Sequence, residues 1–244
     1  MSKKTIGILG GMGPAATVYF IQKVVELTPA TIDQEHIPMI VFNNPEIPDR
    51  TQAIIGDGEN PSKALERGID LLVNAGADFI CVPCNTAHYF LKDVIKRKDI
   101  LFLDLIDCVV EDTLNTAPAI AKAGVLATRG TIASRLYQDA FHEHGVATEV
   151  PNELEMLDLQ KAIRGLKNKE KESTVINKMA EHLMAKGSQA IILGCTELSL
   201  VADSLRVKVP VIDSTEVLAK KVIAAALQTQ ALPVGSRPSR WFLP

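Results

Sequence analysis

The chain has 244 residues, of which 47% are apolar, and a formal net charge of −3. That composition can build a sizeable core and lacks the basic excess that nucleic acid or an anionic membrane surface attracts. Aromatic residues make up only 5%, too few for a base-stacking platform, and no apolar run is long enough to span a bilayer.

Residues 1–7 enter a strand-like segment without a signal-like apolar stretch, so a cytoplasmic location is expected. A short apolar strand over 5–9 ends in Gly10-Gly11-Met12-Gly13-Pro14 and leads to a helical pattern over 15–27. Pro14 suits a first helical position, and a glycine-rich strand-to-helix turn can present N–H groups to an anion. The turn lacks the G-x-G-x-x-G spacing and the G-K-[ST] element of nucleotide sites, so a small carboxylate ligand fits it better. A strand over 38–42 then leads into Asn43-Asn44-Pro45-Glu46-Ile47-Pro48-Asp49-Arg50-Thr51, read as an irregular loop. Arg50 there is either a solvated or cap-bonding arginine or a fork that binds a carboxylate bidentately.

After a helix over 61–74, an apolar strand over 79–82 stops at Pro83 and releases Cys84, Asn85 and Thr86 in succession. Ligands of open parallel sheets bind just past the carboxyl ends of strands. Cys81 and Cys84 spell C-x-x-C, but Cys81 lies inside the apolar strand and no second pair completes a zinc site. Cys81 and Cys108 read as small core residues. A strand over 100–103 ends at Asp104.

The pattern then starts over. A strand, a breaker turn carrying Thr128 and Thr131, and a helix over 132–144 echo the opening of the chain. Helices over 153–165 and 169–186 precede a strand ending in Gly194-Cys195-Thr196-Glu197, and residues 210–212 run into Asp213. Gly7 and Gly124, Cys84 and Cys195, and Asp104 and Asp213 lie 117, 111 and 109 positions apart in the same order, which argues for two similar halves. Strand–helix alternation makes each half a three-layer α/β unit with a mostly parallel sheet. The expected division is 1–104 plus 213–231, 105–212, and a tail over 232–244 around Trp241, which is either disordered or an interface arm. A helix over 216–228 is expected to return toward the first domain.

If a pseudo-twofold axis relates the halves, Cys84 and Cys195 face each other across the interdomain cleft. One thiolate and one thiol on opposite sides of a carbon suit proton removal from one face and delivery to the other. An ordinary thiol pKa of about 8.5 needs only modest tuning to supply both forms. Asn85, Thr86, Thr196 and turn N–H groups would stabilise the carbanion through its carboxylate. No lysine sits in a phosphate-cup context for pyridoxal phosphate.

The motifs Gly-Gly-Met-Gly-Pro at 10–14, Asn-Asn-Pro-x-Ile-Pro-Asp-Arg-Thr at 43–51, Pro-Cys-Asn-Thr-Ala-His at 83–88 and Gly-Cys-Thr-Glu at 194–197 together resemble the aspartate/glutamate racemase family, in its aspartate racemase branch. The resemblance runs to about residue 227. It implies racemisation without pyridoxal phosphate or metal by Cys84 and Cys195, substrate contacts from Met12, Asn85, Thr86 and Thr196, and a homodimer. It implies that Arg50 holds the distal carboxylate of aspartate with a basic residue of the second half. That residue aligns with Arg164, or with Lys161 or Lys167 after a one-turn shift. Thr51, Thr128, Thr131 and Glu197 complete the candidate substrate-binding set. Glutamate racemases carry an early Asp-Ser-Gly and a histidine after Gly-Cys-Thr, where this chain has Glu197; His88 is not assigned to the site. The alternatives are a racemase of glutamate or of wider specificity, a maleate-isomerase-like enzyme, and a two-domain small-ligand binding protein. A decarboxylase of the same superfamily would keep one catalytic cysteine.

Overall fold

The computed structural model describes residues 3–167 and 173–227. The tail at 232–244 with Trp241, the start of the helix expected over 169–186 and position 228 lie outside the described residues.

The first half runs β1 (Ile6–Gly10), α1 (Pro14–Leu27), β2 (Met39–Asn43), α2 (Arg50–Ile55), α3 (Ser62–Asn74), β3 (Phe79–Cys81), α4 (His88–Ile95) and β4 (Leu101–Leu103). After α5 (Leu105–Thr116) come β5 (Lys122–Ala127), α6 (Arg129–Ala133), α7 (Leu136–His142), β6 (Ala147–Glu149), α8 (Glu153–Lys167), α9 (Ser173–Ala185), β7 (Ala190–Gly194), β8 (Val211–Asp213) and α10 (Ser214–Leu227). The strands form two four-stranded parallel sheets, ordered β2-β1-β3-β4 and β6-β5-β7-β8. Each sheet is centred on a strand buried on both faces, which explains the continuous apolar runs of β1 and β7.

The equivalence of the halves reaches single side chains. Gly7 of β1 and Gly124 of β5 each lie under an isoleucine and a leucine, Ile80 and Leu72 in one half and Ile191 and Leu183 in the other. Asp104 accepts from the Ile106 and Asp107 N–H groups at 2.8 and 3.2 Å to cap α5. Asp213 accepts from the Thr215 N–H at 2.8 Å at the start of α10.

A shared core joins the halves. Ile6, Ile8, Phe79 and Cys81 of the first sheet and Val125, Ala127 and Ile192 of the second belong to one apolar cluster with Val109 of α5 and Leu218 and Val222 of α10. The opposite face of the first sheet packs on α3 and α4 through Leu65, Ile69 and Leu91. The opposite face of the second packs on α8 and α9 through Leu159, Ile163 and Ile176. α10 runs along α1, and the Lys4 N–H donates to the Ala226 carbonyl at 3.1 Å. Burial pushes the thiols of Cys81 and Cys108 far up, so both remain protonated core residues. Among the described residues no helix is long and apolar enough to cross a membrane.

Three local features differ from the sequence pattern. Residues 50 and 51, expected as the end of an irregular loop, instead open α2, because the Asp49 carboxylate accepts from the Gln52 N–H at 2.8 Å and caps a helical turn. The helix expected over 132–144 is two helices, broken where Arg135 adopts a left-handed φ of 57°. The elements α5 and β6 lie beyond those read from the pattern.

A Cβ at Gly7 would lie 2.5 Å from Ile80 Cδ1 and 2.9 Å from Ala77 Cβ. Gly7→Ala is therefore expected to overpack the first sheet and cost roughly 1–3 kcal/mol, read as a lowered urea midpoint with an unchanged slope.

Candidate active site

The carboxyl ends of both sheets open into one crevice. The first half contributes Met12, Asp49, Arg50, Thr51, Cys84, Asn85 and Thr86; the second contributes Thr128, Cys195, Thr196 and Glu197. Together they line a small crevice that opens to solvent.

Each wall is set by a short turn. Gly11 has φ 99°, and a Cβ there would lie 2.1 Å from the Asn44 carbonyl oxygen. Only glycine lets the β1 turn lie against the Asn43–Asn44 loop while Met12 faces the cavity. Past β3, the backbone of Cys84 is held from beneath by His88. The Leu105 N–H donates to Nε2 at 3.1 Å, and Nδ1 lies 2.9 Å from the Cys84 carbonyl. The neutral tautomer with its proton on Nδ1 satisfies both contacts. His88 is fully buried and supports the site without lining it.

Asn85 is clamped between the halves. The Tyr137 hydroxyl of α7 donates to its Oδ1 at 2.5 Å, and its Nδ2 donates to Ser214 Oγ at 3.2 Å. Burial raises the pKa of Tyr137 well above the ordinary phenol value, so this hydroxyl remains a donor. The Thr86, Thr128 and Thr131 hydroxyls form a triangle with edges of 2.9, 2.8 and 3.0 Å across the domain boundary. Thr131 is fully buried and serves the site as the inner corner of that triangle. Gly130 makes this seam possible: a Cβ there would lie 2.8 Å from Thr51 Oγ1 and 2.9 Å from Thr86 Cγ2.

Arg50 is half-buried, and its Nη1 donates to the carbonyls of Ile47 and Pro48 at 3.0 and 2.9 Å. Its Nε is buried with no hydrogen-bond partner among the described residues. A guanidinium tied down on one side with a donor left over is prepared for an anion. Opposite, the Cys195 thiol donates to Glu197 Oε2 at 2.9 Å. Cys84 and Cys195 are similarly buried, 6% and 5% exposed.

The structure does not bring Arg164 to this cavity. The face of α8 turned to the core carries Met156, Leu159, Ala162, Ile163 and Leu166, so Arg164 faces solvent. Lys161 is exposed and pairs with Asp158, while the Lys167 side chain lies outside the described residues. Sequence reasoning missed Asp49, whose place before a helix start was a usable capping signal. It also missed Tyr137 and Ser214, whose approach to Asn85 depends wholly on how the halves close.

The chain is similar to known proteins along most of its length. Residues 9–222 match the model of the family described as Asp/Glu/hydantoin racemase. The chain is 30% identical over 233 residues to the broad specificity amino-acid racemase RacX of Bacillus subtilis, covering 93% of this chain and 100% of that one. It superposes on Picrophilus torridus aspartate racemase with TM-score 0.78 and 32% identity, over 91% of this chain and 94% of the other. An aspartate racemase homologue from Pyrococcus horikoshii gives TM-score 0.74 and 28% identity over 92% and 99%. The chain therefore belongs to the Asp/Glu/hydantoin racemase family and is an amino-acid racemase.

Proposed function

We propose that this racemase interconverts L- and D-aspartate by two-base proton transfer, with Cys84 and Cys195 acting on opposite faces of Cα. The observation that carries the reading is the pair of thiols at equivalent strand ends lining one cavity together with Arg50. In each direction the thiolate of one cysteine takes the Cα proton and the thiol of the other supplies one to the opposite face. Matched acid and base groups of this kind contribute about 10²–10⁴-fold.

The carbanion forms beside the α-carboxylate, and hydrogen bonds to that carboxylate strengthen as charge moves onto it. Asn85 is the side chain best prepared for this. With its Oδ1 held by Tyr137 and one N–H given to Ser214, the amide has one N–H left as the donor for a ligand. Tyr137 is thus a positioning residue acting through Asn85.

Aspartate fits the unpartnered Nε of Arg50, which would meet the distal carboxylate. The structural likeness to an aspartate racemase at 32% identity supports the same choice. A wider substrate range has its own support: Arg50 is the single cation among the described residues lining the cavity, where the carboxylates of Asp49 and Glu197 also stand. One guanidinium selects for acidic side chains less strongly than two cations would.

Incubation with L-aspartate in deuterated water, without pyridoxal phosphate, is expected to give D-aspartate carrying deuterium at Cα. Cys84→Ala and Cys195→Ala should each reduce racemisation below detection, whereas aspartate left optically pure and undeuterated by the unaltered enzyme would refute the reading. Arg50→Ala should lower kcat/KM for aspartate by roughly 10–100-fold, the loss of a charge-assisted contact, and change alanine turnover much less. Equal losses on both substrates would favour the wider range. Tyr137→Phe should lower kcat by about tenfold with a smaller change in KM, because an interaction made mainly in the transition state is lost; a melting temperature near that of the unaltered protein separates this from general destabilisation.

A further inference from the structure

The pseudo-symmetry of the site breaks at one position. Each half sends a strand into a cysteine and then, two residues later, a side chain that reaches the glycine turn of the other half. In the first half that side chain is Thr86, whose Cγ2 would lie 2.9 Å from a Cβ at Gly130. In the second half it is Glu197, whose Oε1 would lie 3.4 Å from a Cβ at Gly13. Thr86 turns its hydroxyl into the threonine triangle. Glu197 instead accepts the Cys195 thiol proton on Oε2 at 2.9 Å. Among the described residues no hydrogen bond reaches the Cys84 sulfur.

From this asymmetry we infer that Glu197 pins the resting proton on Cys195, so that Cys84 is the thiol that ionises more readily in the free enzyme. The inference rests on the reading of the two cysteines as an acid/base pair. A carboxylate is a weaker base than a thiolate by about four pKa units, so the shared proton stays on sulfur. The negative carboxylate beside it then disfavours ionisation of Cys195. The other ionisable groups around Cys195 are Cys84 across the cavity, Tyr137 of α7, and Asp49 and Arg50 at the start of α2. Tyr137 is held neutral by burial, and Arg50 is the one cation among them.

The proton inventory follows. The enantiomer whose Cα–H faces Cys84 meets the resting enzyme: its proton passes to the Cys84 sulfur, and the Cys195 proton passes to the opposite face of Cα. Product leaves behind a Cys84 thiol and a Cys195 thiolate lying against a carboxylate. That state relaxes when Cys84 gives a proton to water and Cys195 takes one from water. The mirror-image substrate must use the less stable state directly. Because the two enantiomers have equal free energies, kcat/KM is equal in both directions and cannot report the asymmetry, whereas the ionisation of each thiol in the free enzyme does.

The test is alkylation of the substrate-free protein by iodoacetamide, a neutral reagent that reads thiolate content, with each cysteine followed by peptide mass. Access does not favour either thiol, given their similar burial. Cys84 is expected to react at least about tenfold faster than Cys195 in the unaltered protein. Glu197→Gln should speed Cys195 by at least about tenfold and narrow the gap, while Glu197→Asp, which keeps the charge, should preserve the order. Cys195 reacting as fast as Cys84 in the unaltered protein overturns the inference, as does a Glu197→Gln variant in which Cys195 reacts at an unchanged or lower rate. The measurement in the unaltered protein stands even if a variant fails to fold. Because alkylation needs no turnover, its outcome is separable from the deuterium experiment: an unexpected labelling order with intact racemisation refutes the role of Glu197 alone.

Discussion

Two thiols that open onto one buried cavity cannot both be charged without a large cost. Like charges that share a poorly solvated site push one of the pair back to its neutral form. In the proposed reaction, the same cost that limits the site to one thiolate supplies one base and one acid. The rest of the architecture brings that pair to one cavity. A parallel sheet ends its central strands at one edge, where backbone turns expose side chains to a crevice. Two such sheets, back to back through α5 and α10, aim their edges at each other. A cysteine after β3 and another after β7 then line the same small volume.

Holding the walls in register requires close contact at the seam without filling the cavity. Glycine at 130 gives one turn room for Thr51 and Thr86 of the opposite half, and Gly13 of the other turn lies beside Glu197. The threonine triangle and the Tyr137–Asn85–Ser214 chain add buried polar links. Each hydrogen bond is worth only about 0.5–1.5 kcal/mol net, far less than the shared apolar core supplies. Their contribution is orientation: a buried amide or hydroxyl with its partners fixed presents a defined donor to a ligand, and reorienting it would leave a partner unsatisfied.

The sequence makes the chemistry legible where function depends on local pattern. A strand ending in Pro83-Cys84-Asn85-Thr86, repeated as Gly194-Cys195-Thr196-Glu197, shows both thiols and the duplication. The glycine turn at 10–14 likewise announces a wall of the cavity. Features that depend on how the halves meet are not legible. Tyr137 sits in an unremarkable helical stretch, and its role follows from α7 being a separate helix, set off by a left-handed Arg135. Arg164 illustrates the converse: its alignment suggested the site, but the apolar stripe of α8 turns it to solvent. The stripe was present in the sequence, at 156, 159, 162, 163 and 166. Spacing along it, and not motif alignment, decides where a basic side chain on that helix can reach.

A racemase presents an unusual demand on symmetry. Its substrate and product are mirror images, so a two-fold protein with a thiol on each wall matches the reaction. A free enzyme with identical walls, however, would hold its single thiolate on either side at random. Half the molecules would then face a given enantiomer with the acid where the base must be. A difference in one side chain, charged in one half and neutral in the other, removes that ambiguity without disturbing the walls. Thr86 and Glu197 occupy equivalent places, fill equivalent gaps over Gly130 and Gly13, and differ in charge. The fold can therefore remain nearly symmetric in packing while the site is asymmetric in protonation, and packing is the property that the duplicated strands, glycines and capping aspartates maintain.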